Sequence, residues 1–199
     1  MRKTGSLQFA KTEEETMSIW KKLQEMPCTL TIIAVWIAVW AVVTLRDASP
    51  VLCGKGISKI GSEYYRIFTA GLTHTGGLHL IANVSALFWI GFLYERPMGS
   101  VWFALIGAVC AVMAQFAFLC IFRNAESSVG GSVYTFAFCG FGFITQFLVP
   151  DFPKIKLGTW SGNWIAVYCA ASNIPRIASA DASAIVIHGI AFVVYGLYQ

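Results

Sequence analysis

Residues 72–122 read LTHTGGLHLIANVSALFWIGFLY, then ERP, then MGSVWFALIGAVCAVMAQFAFLCIF. The two flanking runs, 72–94 and 98–122, contain no charged residue, and Glu95, Arg96 and Pro97 stand alone between them. A helix crossing a hydrocarbon layer of about 30 Å needs about 20 apolar residues, which each run supplies. Backbone in lipid must satisfy its own hydrogen bonds, so both runs are predicted to be helical. This pair decides the fold class, because a soluble helix has no reason to be apolar on every side over such a length.

The same reading extends outward to charge-free stretches at 28–45, 127–150, 157–175 and 182–199. The expectation is an all-α, polytopic membrane protein with six transmembrane helices. The fifth stretch is diluted by Thr159, Ser161, Gly162, Asn163, Ser172 and Asn173, and the sixth is short. Composition agrees with a membrane protein. The 199 residues are 57% hydrophobic and 12% charged, whereas a soluble domain carries about 25% charged residues.

Residues 1–26 form a polar, cytoplasmic N-terminal tail that includes Glu13, Glu14 and Glu15. That pattern lacks the short apolar core of a cleaved signal peptide. A helix lying on the headgroups is expected near residues 17–26. Residues 27–199 are expected to form one membrane domain. The longest loop, 46–71, carries Tyr64, Tyr65 and Phe68, which suit the membrane interface. With the N-terminus inside, eight Lys and Arg fall in inner segments and six in outer ones, which favours cytoplasmic termini. The net charge of +4 follows from these loop residues and calls for no nucleic-acid partner. Of six cysteines, only Cys53 lies in an outer loop and no CxxC spacing occurs. Small apolar packing residues are the expected role, with no disulfide framework, metal site or cofactor.

Polar groups inside apolar spans are costly and point to function. The three histidines are His74, His79 and His188. His79 and Asn83 are four residues apart, on one helix face. Two such donors suit a developing oxyanion, or equally an interhelical hydrogen-bonded contact. Ser132 follows Gly130 and Gly131 at a helix start, where unpaired N–H groups and the positive dipole end favour negative charge. A plain capping serine is the alternative, with Ser127 and Ser128 also placed for that role. His188 lies mid-span in the last helix, behind a stretch rich in Ala and Ser that permits close helix approach. Pressed against Ser132 it would serve as general base. Asp181, the nearest carboxylate, is about two turns away. A catalytic reading from sequence is therefore a dyad.

These residues resemble the rhomboid intramembrane serine proteases. The resemblance rests on Tyr65-Arg66-Ile67-Phe68-Thr69, His74, His79-Leu80-Ile81-Ala82-Asn83 and Glu95-Arg96-Pro97-Met98-Gly99-Ser100. Gly130-Gly131-Ser132 is similar to the start of that family's GxSG motif, and the resemblance spans residues 27–199. It implies Ser132 as nucleophile, His188 as base, and an oxyanion hole from His79, Asn83 and the Ser132 amide. It implies structural roles for Arg66, pinning loop one, and for Glu95, at the cytoplasmic end of the second span. Four positions depart from the pattern: Val133 for Gly, Phe136 for a Tyr that stacks on the histidine, and Ala191 and Tyr195 for helix-packing glycines. Phe136 retains the stacking ring.

Two functions follow from the resemblance. One is an endopeptidase that cleaves transmembrane segments of other membrane proteins. The other is a catalytically inactive rhomboid-like protein that binds such segments or scaffolds a membrane complex. A transporter fits less well, because the polar residues gather near one depth. A multi-pass protein of a bacterial plasma membrane is expected, with the mitochondrial inner membrane as alternative. Lipid and transmembrane substrates are the implied partners, and the oligomeric state is left open.

Overall fold

The computed structural model describes residues 20–178 and 182–196. The rest of the N-terminal tail, Asp181 and the Tyr195 side chain lie outside them. Among the described residues there is no strand, and six helices have 15 or more residues: α1 Pro27–Arg46, α2 Gly77–Met98, α3 Ser100–Ile121, α4 Ser132–Leu148, α5 Trp160–Ala178 and α6 Ala182–Gly196.

By length and apolarity, α1, α2 and α3 each suffice to cross a membrane, with mean hydropathies of 2.3, 1.5 and 2.4 over their most apolar windows. α4 and residues 183–194 of α6 are apolar but shorter. α5 carries all but Thr159 of the polar residues that dilute the fifth sequence stretch. Apolarity alone thus supports three crossings where the sequence pattern leads one to expect six.

Large apolar side chains cover the outside. Leu78, Leu45 and Phe147 are 86%, 83% and 72% exposed, and many others along α1, α3 and α4 are exposed as well. Water would not tolerate so continuous an apolar surface, whereas lipid does.

The helix ends have identifiable causes. Pro27 occupies the first turn of α1, where a missing N–H costs nothing. The next two N–H groups, of Cys28 and Thr29, donate to the Glu95 carboxylate at 2.7 Å each. Pro97 sits in the last turn of α2, and Gly99 at φ 79° reverses the chain into α3. Ser100 at the start of α3 donates to Glu95 as well. One carboxylate therefore joins the ends of three helices.

α4 is the central helix. Every residue from Ser132 to Gly140 is buried, as expected for a helix apolar on all sides. Its most extensive contact is with α6. Gly140 makes it possible, because a Cβ there would lie 2.0 Å from the Phe192 carbonyl oxygen. Gly189 on α6, by contrast, has open space around it. The glycine that matters lies on the partner helix.

Loop one is stitched to the segment before α4. Gly54 and Ser128 exchange two backbone hydrogen bonds of 2.8 Å, Gly56 N donates to Ala125 O, and Gly130 N donates to Ala70 O. Arg66, 3% exposed, closes the loop from within. Its Nη1 donates to the Pro50 and Cys53 carbonyls at 2.8 and 2.9 Å, and its Nε to Glu63 at 2.9 Å. The Arg66 guanidinium in turn holds the Glu63 carboxyl below its ordinary range.

Candidate active site

The N-terminus of α4 opens on a cavity of about 220 Å³ lined by His79, Gln115, Ser132, Val133, Ser183 and His188, among others. Gly130 adopts φ 131°, a conformation that a side chain would strain. A Cβ on Gly130 would also stand 3.0 Å from His79 Cε1 and 3.3 Å from Ser132 Oγ, between the two. On Gly131 it would lie 2.2 Å from the Trp36 indole. Both glycines are thus needed to place Ser132 at the first turn, with the helix dipole and first-turn N–H groups behind it.

Ser132 Oγ lies 3.0 Å from His188 Nε2. Both residues are buried, at 8% and 6% exposure. The His188 ring is stacked on Phe136, centroids 4.0 Å apart and planes 13° from parallel. Phe136 is one turn along α4 from Ser132, so one helix presents the hydroxyl and fixes the plane of the ring that meets it.

His79 lies across the cavity. Its Nδ1 is 3.1 Å from Thr75 Oγ1, and its Cε1–Nε2 edge faces the Gly130 turn. Asn83 is placed differently. It is 1% exposed and is not among the residues lining the cavity. Its Nδ2 donates to the His79 carbonyl at 2.9 Å, and its Oδ1 accepts from the Tyr168 hydroxyl at 2.6 Å. Thr135 Oγ1 is 2.7 Å from that same hydroxyl. The four-residue spacing puts His79 and Asn83 on one face, but Asn83 is a turn deeper, where α4 and α5 close over it.

Val133, at the position where the motif has glycine, is 2% exposed and packed into the core behind the serine. Gln115 brings a further donor. Its Oε1 accepts from Ser128 Oγ at 3.3 Å, while its buried Nε2 has no hydrogen-bond partner. Gly54 leaves room for that amide, since a Cβ there would sit 2.6 Å from Nε2.

The residue least legible from sequence is Asn173. Its Oδ1 lies 3.0 Å from His188 Nδ1 and its Nδ2 donates to the Cys169 carbonyl at 2.8 Å. The sequence offers no carboxylate as a third partner for the histidine, and the structure puts an amide there. The available signal was the cost of a strongly polar side chain within an apolar helix. Asn173, Tyr168 and Gln115 all carried it.

His74 lies in the loop before α2, 4% exposed, its ring against Trp36 and His79, with both nitrogens lacking a hydrogen-bond partner. Burial, reinforced by the neighbouring His79, holds it down at about 4. Cys139 and Cys169 approach to 3.8 Å beneath Thr135. Among the described residues no cluster of three or more His, Cys, Asp or Glu could hold a metal ion.

Fold and site together define an all-helical integral membrane protein whose central helix presents a serine to a histidine in a polar cavity. The family model of the rhomboid domain matches residues 61–197, more than two thirds of the chain. The chain belongs to the rhomboid family. A comparison with curated proteins found no match.

Proposed function

We propose that this rhomboid protein is an intramembrane serine endopeptidase that cleaves transmembrane segments, with Ser132 as nucleophile and His188 as its base. The observation that carries this reading is the 3.0 Å separation of Ser132 Oγ and His188 Nε2, within the reach proton transfer requires. In this reading the domain comprises residues 27–199 and all six helices cross the membrane. Inclusion of α1 is supported by its attachment to Glu95, although the family match begins after it. The site then opens to the extracytoplasmic side.

The chemistry follows from the placement. Ser132 Oγ attacks the scissile carbonyl carbon as its proton passes to His188 Nε2. The resulting oxyanion meets the Ser132 backbone N–H at the positive end of α4 and the His79 ring. Asn83 acts through His79, whose carbonyl it holds. Gln115 Nε2 offers another donor on the same cavity wall. His188 then gives its proton to the leaving nitrogen, and a water molecule activated by the same ring releases the acyl group.

A second reading, a catalytically inactive member that binds transmembrane segments or scaffolds a complex, draws on Val133 and on the commitment of the Asn83 amide away from the cavity. Purified protein in detergent distinguishes them with a fluorophosphonate probe and a panel of transmembrane substrates. Labelling and cleavage by wild type, both abolished by Ser132→Ala and by His188→Ala, are expected. A folded wild-type protein that binds the substrates but neither cleaves nor labels would establish the inactive reading.

A further inference from the structure

Outside the serine–histidine pair, the half-buried Asn173 has a geometry that fixes a chemical state. Asn173 is on α5, and its amide is held at both ends. The Cys169 carbonyl, 2.8 Å from one end, can only accept a hydrogen bond, so that end is the NH₂ group. The other end is therefore the carbonyl oxygen, which can only accept. It faces His188 Nδ1 at 3.0 Å, so Nδ1 must carry a proton. In the neutral ring this leaves the lone pair on Nε2, the nitrogen 3.0 Å from Ser132 Oγ.

We infer that Asn173 is the third member of the catalytic constellation: a positioning residue that selects the Nδ1–H tautomer of His188 and so makes Nε2 the base. This rests on the protease reading for its use, but the tautomer assignment stands on hydrogen bonding alone. Three separate elements hold the ring. Phe136 on α4 fixes its plane, Asn173 on α5 fixes its proton, and the α6 backbone fixes its position. Within the cavity wall the titratable side chains are His79 and His188 themselves, and Tyr168, Cys139 and Cys169 pack behind Phe136 and Asn173. No carboxylate among the cavity-lining residues competes for the Nδ1 proton. An amide orients the imidazole without a negative charge, and so avoids the cost of a buried carboxylate in an apolar bundle.

The test has two arms. In the first, protein labelled with ¹⁵N-histidine is studied in detergent by long-range ¹H–¹⁵N correlation, with His188→Ala used to assign the ring among the three histidines. Wild type should show His188 as the Nδ1–H tautomer, and Asn173→Ala should lose it in favour of a mixture or the Nε2–H form. Asn173→Asp, which retains an acceptor, should keep it. A wild-type Nε2–H tautomer, or an Asn173→Ala spectrum unchanged at His188, would overturn the inference whatever the activity. In the second arm the rate of fluorophosphonate labelling is followed against pH. Asn173→Ala should slow it roughly tenfold, the scale of one lost hydrogen bond. Asn173→Asp should restore the rate while moving the acidic limb to higher pH, because a carboxylate favours the imidazolium. A purely structural amide would lower thermal stability in both variants and leave the His188 tautomer unchanged in Asn173→Ala. If the tautomer behaves as stated but wild type is never labelled, the Asn173 assignment stands and the protease reading fails.

Discussion

Replacing Glu95 by Gln removes one oxygen from a buried carboxylate that has four donors and no exposed surface. Oε1 accepts from Cys28 N at 2.7 Å and Ser100 Oγ at 2.6 Å. Oε2 accepts from Thr29 N at 2.7 Å and Thr29 Oγ1 at 2.6 Å. Either orientation of the glutamine amide turns an NH₂ group toward one backbone N–H. The hydroxyls of Thr29 and Ser100 can rotate to accept, but a backbone N–H cannot. One buried donor is therefore orphaned, at about 1–3 kcal/mol. The lost charge beside the first turn of α1 adds about 0.3–1 kcal/mol. Glu95→Gln should thus destabilise by about 1–4 kcal/mol, and Glu95→Ala by more, because both N–H groups then go unpaired. Reversible unfolding in mixed detergent micelles, followed by tryptophan fluorescence, measures this. Thr29→Val supplies a double-mutant cycle, with a coupling of at least about 0.5 kcal/mol expected between contacting residues. Glu95 is about 24 Å along α2 from His79 at 1.5 Å per residue, so the folded fraction of Glu95→Gln should keep its Ser132 reactivity. A Glu95→Gln protein within about 0.5 kcal/mol of wild type, the scale of a neutral surface change, would refute the claim that this carboxylate joins three helix ends.

Stability should also fall on the acid side through His74. Its folded value of about 4 lies below the ordinary 6.5, so between those pH values the unfolded chain binds a proton that the folded one excludes. No loss is expected above pH 6.5, and the full loss, about 3 kcal/mol, is expected by pH 4. His74→Phe should flatten that part of the pH–stability curve, and an unchanged slope would contradict the assignment. Gly140→Ala should push α6 away from α4, since the new Cβ would meet the Phe192 carbonyl at 2.0 Å. An overpacking cost of about 1–3 kcal/mol should appear as lowered thermal stability. Loss of Ser132 labelling should accompany it, because that contact also carries the distance from Ser132 to His188.

Length and the absence of charge already carried the helices. The charge-free runs at 72–94 and 98–122 correspond to α2 and α3 within a few residues, and the weak fifth run became α5 despite its polar content. Burying apolar side chains is non-directional, so a one-dimensional pattern records it well. Gly130, Gly131 and Ser132 were legible for a related reason. A turn followed by a helix start is a local event, and its residue requirements are written in adjacent positions.

Beyond the Ser132–His188 pair that the resemblance implied, tertiary structure decided which polar side chain meets which, and at what distance. His188 and Ser132 are 56 residues apart, and Asn83 and Tyr168 are 85 apart. A hydrogen bond depends on distances of a few tenths of an ångström and on direction, and no spacing rule carries that precision between helices. Thus His79 and Asn83, one turn apart on one face, end in different surroundings: one at the cavity wall, the other sealed beneath Tyr168. Asn173 counted in sequence only as a dilution of an apolar run. It became the partner of His188 because α5 packs against α6 at that height, which no local property of either helix states.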